Sequence, residues 1–191
     1  MNRFFMLAIS LVLVPSAGAT ISFVQGNTAT SHAASSVAIA YRSNNASGNL
    51  LVAAAGSFNS MAQQTLTISD SAGNAWSQAV VTTSFGSTAL VYIWYAVNSK
   101  AGPNTVTFTP SRRDGDIDAT IYEYSGIATS SPLDQTNSAT CSSCSSLSTG
   151  NVSTTQASEL LFSYAYETGR SDATFRVSSG WVKQKDRKSV V

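Results

Sequence analysis

From residue 20 onward, no stretch of the chain sustains a 3.6-residue apolar period between helix caps. The apolar residues come in short runs rich in β-branched and aromatic side chains, at 21–25, 36–41, 49–57, 65–69, 77–84, 89–97, 105–109, 118–125, 148–154, 159–166 and 180–185. Alternation is strict in Thr65-Leu66-Thr67-Ile68 and in Thr105-Val106-Thr107-Phe108-Thr109, so each run carries one apolar face and one hydroxyl face. The run 89–97, ALVYIWYAV, is apolar on both faces, as expected of a central strand covered on both sides. Turn chemistry separates the runs. In Asp70-Ser71-Ala72-Gly73-Asn74, Gly73 can take a positive φ and Asp70 can cap the turn, and Lys100-Ala101-Gly102-Pro103-Asn104 offers the same chemistry. Strands at this spacing predict an all-β, antiparallel two-sheet β-sandwich, jelly-roll-like, with an immunoglobulin-like order as the alternative. A chain of 191 residues suffices for one such domain and hardly for two.

The first 19 residues have a different character. MNRFFMLAISLVLVPSAGA opens with Arg3, continues through an apolar stretch from Phe4 to Val14, and ends in Pro15 and small residues. This is the pattern of a secretory leader, with cleavage expected after Ala19. The apolar run is too short to span about 30 Å of hydrocarbon. The expectation is therefore a signal peptide at 1–19 and one β-sandwich domain at 20–191, secreted or extracellular, with no membrane span after cleavage.

Charge narrows the partners. Eleven Lys and Arg stand against ten Asp and Glu, so there is no positive excess to release counterions from nucleic acid. Between Thr20 and Pro110 only Arg42, Asp70 and Lys100 are charged, while Ser and Thr number 33 and 20 in the whole chain. The wet surface of the first half thus consists of hydroxyls and amides, which suits neutral polymers such as glycans.

Candidate chemistry is sparse. Cys141 and Cys144 are the two cysteines; in an exported chain they read as a disulfide closing a small loop, with a redox or metal site as the alternative. The single histidine, His32, lies far off in sequence, so no zinc set assembles. Asp114, Asp116 and Asp118 alternate like the start of a Ca²⁺ loop, but Ala119 and Ser125 stand where that loop needs glycine and glutamate. They are weak metal candidates, and solvated carboxylates beside Arg112 and Arg113 are the plainer reading. Glu123 sits inside the apolar run Ile121-Tyr122-Glu123-Tyr124, where a charge is costly unless paired. With Glu167 it could form the carboxylate pair of a glycosidase, which needs separations of about 5–5.5 Å or 6.5–9.5 Å. Otherwise Glu123 fixes its strand through hydrogen bonds. Trp76, Trp181, Tyr122 and Tyr124 are the aromatic candidates for stacking on sugar rings, whereas Trp94 reads as core. No cofactor is indicated.

Several segments in order, GNLLVA at 48–53, ISDSAGNAW at 68–76, YAV at 95–97, GPNTVT at 102–107, EYSG at 123–126, PLD at 132–134 and ELL at 159–161, resemble a family of secreted bacterial β-sandwich domains of largely uncharacterised function. The resemblance implies the fold and the location and carries no catalytic residue. Domains of that family continue past the point where this chain ends in Ser189-Val190-Val191, so a fragment short of one or two terminal strands is expected, with the basic residues Lys183, Lys185, Arg187 and Lys188 beside the open edge. The functional expectation is a non-catalytic module that contacts extracellular or cell-surface material, carbohydrate in particular. The alternatives are a glycoside hydrolase using Glu123 and another carboxylate, and a structural or adhesive spacer.

Overall fold

The computed structural model describes residues 5–83, 88–142, 144–156, 158–168, 176, 179 and 181–184. These form eleven strands and no helix, all paired antiparallel: β1 (Phe5–Leu13), β2 (Ser22–His32), β3 (Val37–Ala40), β4 (Leu50–Phe58), β5 (Leu66–Asp70), β6 (Ser77–Thr83), β7 (Ala89–Ala96), β8 (Thr105–Pro110), β9 (Asp116–Ser125), β10 (Leu133–Ser142) and β11 (Leu160–Thr168). No helix in the described part is long and apolar enough to cross a membrane.

The chain folds into the expected all-β antiparallel sandwich, with one layer more than two. A five-stranded central sheet has the order β2-β9-β4-β7-β6, and two three-stranded sheets have the orders β3-β8-β5 and β10-β1-β11. The alternation of the central strands divides the core. Leu51, Ala53, Trp94 and Ile121 face Ile39, Val106 and Phe108 of the β3-β8-β5 sheet. Leu50, Val52, Val91 and Tyr122 face Leu11, Leu13 and Phe162 of the β10-β1-β11 sheet. A strand covered on both faces must be apolar throughout, and β7 is buried at every position except Tyr95. Trp94 stacks on Tyr92 at 4.7 Å and meets Phe108 at 5.9 Å, so it belongs to the core as its sequence position suggested. β11 approaches β4 closely over its small-residue middle, Ala53-Ala54-Ala55-Gly56. Gly56 lies under the ring of Tyr166; a Cβ there would stand 2.3 Å from two ring carbons.

The strands that the sequence reading did not place are β1, β10 and the far end of β2. Residues 5–13, read from sequence as the apolar part of a leader, form the middle strand of a sheet, with Leu11, Val12 and Leu13 fully buried. The stretch 136–142, which no apolar run marks as a strand, forms most of β10. Its sequence LDQTNSATCS lacks an apolar face because it is an edge strand held by backbone pairing to β1. β2 runs on to His32, through GNTATSH, because β9 pairs with it along its length. Residues 148–154 carry no strand, and neither do 181–184; Gly180, Lys185 and the carboxyl-terminal Val190-Val191 lie outside the described residues.

Candidate functional site

Glu123 lies on the face of β9 shared with Ile117, Ala119 and Ile121, pointing toward the β3-β8-β5 layer, and is fully buried. Its Oε2 accepts hydrogen bonds from Gln25 Nε2 and Asn45 Nδ2, both at 2.7 Å. Its Oε1 accepts from the Ala46 amide at 2.9 Å and Asn49 Nδ2 at 2.7 Å. Burial alone pushes the carboxyl's pKa up; the four donors outweigh it and hold the group below the ordinary glutamate range. The donors come from β2 and from the segment between β3 and β4, which crosses from the outer sheet to the central one. Gln25 Oε1 in turn accepts from the Ser43 amide, and Ser99 Oγ donates to Ala46 O at 2.6 Å. The carboxylate therefore fastens a crossover between layers.

Asp70 does the same at the next crossover, between β5 and β6. Its Oδ1 accepts from the Asn74 amide at 2.9 Å; its Oδ2 accepts from Asn74 Nδ2, Asn104 Nδ2 and the Trp76 indole N–H at 2.7, 3.1 and 3.1 Å. Gly73 completes the turn at φ 69°, as its sequence context predicts. Burial raises the Asp70 pKa and these donors outweigh it, so the net direction is down. The segment from β7 to β8 ties both knots together: Lys100 Nζ donates to Gly73 O at 2.8 Å, and Asn45 and Gly102 exchange backbone bonds.

Both carboxyls are held below their unfolded values. Their stabilisation is thus complete above an unfolded pKa of about 4 and is lost as pH falls through the lower folded values. The protein is expected to melt at a constant temperature between pH 8 and pH 5 and progressively lower below pH 4. Asp70→Asn should flatten that acid limb. Scanning calorimetry across pH checks this, and an unchanged acid limb in the variant would remove Asp70 from the account.

The other candidates lie apart. Glu167 belongs to β11, in the layer on the opposite face of the central sheet from the Glu123 carboxylate, so the two do not form a glycosidase pair. Asp114 pairs with Arg112 at 3.1 Å and accepts from Asn59 Nδ2 at 2.6 Å, and the Arg112 guanidinium lowers its pKa. Asp116 bonds His32 Nδ1 at 2.5 Å. Asp118 lies two residues further along β9, and its backbone oxygen accepts from the Tyr164 hydroxyl at 3.0 Å. Among the described residues no three His, Cys, Asp or Glu gather as a metal site. Cys141 and Cys144 stand at disulfide distance with Cα atoms 6.1 Å apart at the end of β10.

Of the aromatic candidates, Tyr122 and Tyr124 are core residues, 7% and 6% exposed, with Phe162 and Phe23 against them. Even-numbered positions of β9 point into the β10-β1-β11 layer, which closes their rings to a ligand. Trp76 is half-buried against the other half of the core, its N–H held by Asp70. Trp181 is 40% exposed and borders a groove of about 240 Å³ with Thr149, Gly150, Asn151 and Leu161, floored by Ser10 and Val12 of β1.

A second surface was not singled out from the sequence, although its alternation was visible. On the outer face of the β3-β8-β5 sheet, Thr67 pairs with Thr109, Ser69 and Ala38 flank Thr107, and Ala40 pairs with Thr105. None of these is charged, and none is buried. Hydroxyls recur here about 4.8 Å apart across strands and about 6.8 Å along them. Comparison of the chain with protein-family models, with characterised proteins and with solved structures finds no match.

Proposed function

We propose that this protein is a secreted, non-catalytic β-sandwich module that contacts neutral extracellular glycan through the outer face of its β3-β8-β5 sheet. The observation that carries the reading is the uncharged hydroxyl ladder Thr67, Ser69, Thr105, Thr107 and Thr109 on one outer sheet face. Hydroxyls both donate and accept, as sugar hydroxyls do, and an uncharged face meets a neutral polymer without stripping water from ions. The leader pattern, the close cysteine pair and the scarcity of charge in the first half support an extracellular setting. The commitment of Glu123 to four structural donors supports binding over hydrolysis.

Pull-down on insoluble neutral polysaccharides, cellulose and chitin among them, tests the reading. The full chain should sediment with at least one, and Ser69→Lys with Thr107→Lys should lose about tenfold in affinity, since paired lysines place like charges across the ladder. Trp181→Ala should leave binding intact. Loss on Trp181→Ala with binding retained by the lysine variant would move the contact to the groove beside β1. Absence of binding to every neutral glycan would sink the proposal.

A further inference from the structure

β8 runs down the middle of the outer hydroxyl face, with Thr105, Thr107 and Thr109 at alternate positions. β5 adds Thr67 and Ser69 on one side, and β3 adds Ala38 and Ala40 on the other. All of these are at least partly exposed. No side chain among them is longer than threonine, and none is aromatic or charged. The face therefore has nothing that reaches around a sugar, stacks on its ring or pairs with an ion. What it has is order. Threonine is stiff at χ1 in a strand, and Thr67 Oγ1 is held further by donating to Thr109 O at 3.3 Å. The pairing of Thr67 with Thr109 and of Ser69 with Thr107 keeps the two rows in register. Beneath them Ile39, Val106 and Phe108 are buried against the central sheet, so the ladder stands on a close-packed base that does not yield.

Order without reach separates two forms of one ligand. A hydrogen bond from threonine to a sugar hydroxyl replaces bonds that both groups make to water, so a single contact is nearly neutral. A free oligosaccharide must also surrender translation, rotation and linkage freedom to gain such contacts. The aromatic platforms that offset this cost for a free sugar are missing from these positions. A chain already fixed among its neighbours in a solid has surrendered that freedom beforehand, and a rigid ladder meets it with several contacts at once. We propose that the β3-β8-β5 face recognises neutral glycan chains ordered in an insoluble assembly and passes over the same chains free in solution. This rests on the reading of that face as the glycan contact and names the physical state of the glycan it takes.

The test uses the full chain and depletion isotherms on microcrystalline cellulose, on crystalline chitin and on the acid-swollen, amorphous form of each. Per unit of accessible surface, the crystalline form of at least one polymer should bind about tenfold more tightly than its swollen form. The soluble hexasaccharide of that polymer, at about 10 mM, should displace less than about a tenth of the bound protein. Thr107→Val keeps the shape and the β-branch while removing the central hydroxyl, and should lose about fivefold in affinity for the crystalline form. Ser69→Lys with Thr107→Lys should lose about tenfold, as for the glycan contact itself. Equal binding to the two forms, displacement by the hexasaccharide, or undiminished crystalline binding by Thr107→Val would each overturn the inference, and loss in the lysine variant would at the same time keep the glycan reading. Crystalline binding retained by the lysine variant would refute the glycan reading of this face and the inference with it, and so would absence of binding to every polymer in either form.

Discussion

Glu123→Ala is expected to lower the melting temperature by about 6–20 °C. The change strands Gln25, Asn45, Asn49 and the Ala46 amide, four donors aimed at one carboxylate. Breaking a buried, fully paired charge costs about 3–5 kcal/mol. A domain of this size loses about 2–4 °C per kcal/mol. Glu123→Gln keeps volume and one acceptor oxygen, so it should fall between wild type and alanine. Asn49→Ala should cost less in the Glu123→Ala background than in wild type, because the interaction it removes is already gone. Thermal unfolding of the five proteins reads all of this, and a Glu123→Ala variant melting within 2 °C of wild type would refute the clamp. The same experiment guards against a false catalytic assignment, since loss of any activity in a Glu123 variant would follow from the loosened crossover alone.

Gly56→Val is expected to destabilise where strand preference predicts the opposite sign. An ordinary glycine inside a strand costs about 0.5–1 kcal/mol relative to alanine, so adding a side chain should help. Here the added Cβ would stand 2.3 Å from ring carbons of Tyr166, a side chain only 3% exposed in a packed interior. The ring must move into neighbours that leave no room, at a cost of about 1–3 kcal/mol or more. Gly56→Ala should show the same sign with a smaller loss. Tyr166→Leu should cost less in the Gly56→Ala background than in wild type, because the smaller side chain relieves the clash. Chemical denaturation of the cycle measures the coupling; a stabilised Gly56→Ala protein would show that β11 does not pack over β4 as described.

Element type and most strand positions were legible in the order of the residues. Short β-branched runs with turn residues between them admit only strands, and the observed β4, β5, β7 and β8 fall within a residue or so of their predicted limits. The same order held a sign of the third layer: ALVYIWYAV has no wet face, and a strand with none must be covered twice. That a lone Glu in an apolar strand needs partners was equally legible, because an unpaired buried charge is too costly to survive. Who those partners are was not. Gln25, Asn45 and Asn49 are amides 74 to 98 residues away from Glu123 in sequence, and nothing local distinguishes them from the chain's other amides. Tyr122 and Tyr124 could be placed on one face of β9, but whether that face met water or a further sheet was decided by where β10, β1 and β11 settle. The same holds for residues 5–13. Their composition reads as a leader, and the pairing of β10 and β11 on either side, with Leu11 and Leu13 meeting the apolar face of the central sheet, makes those nine residues a strand.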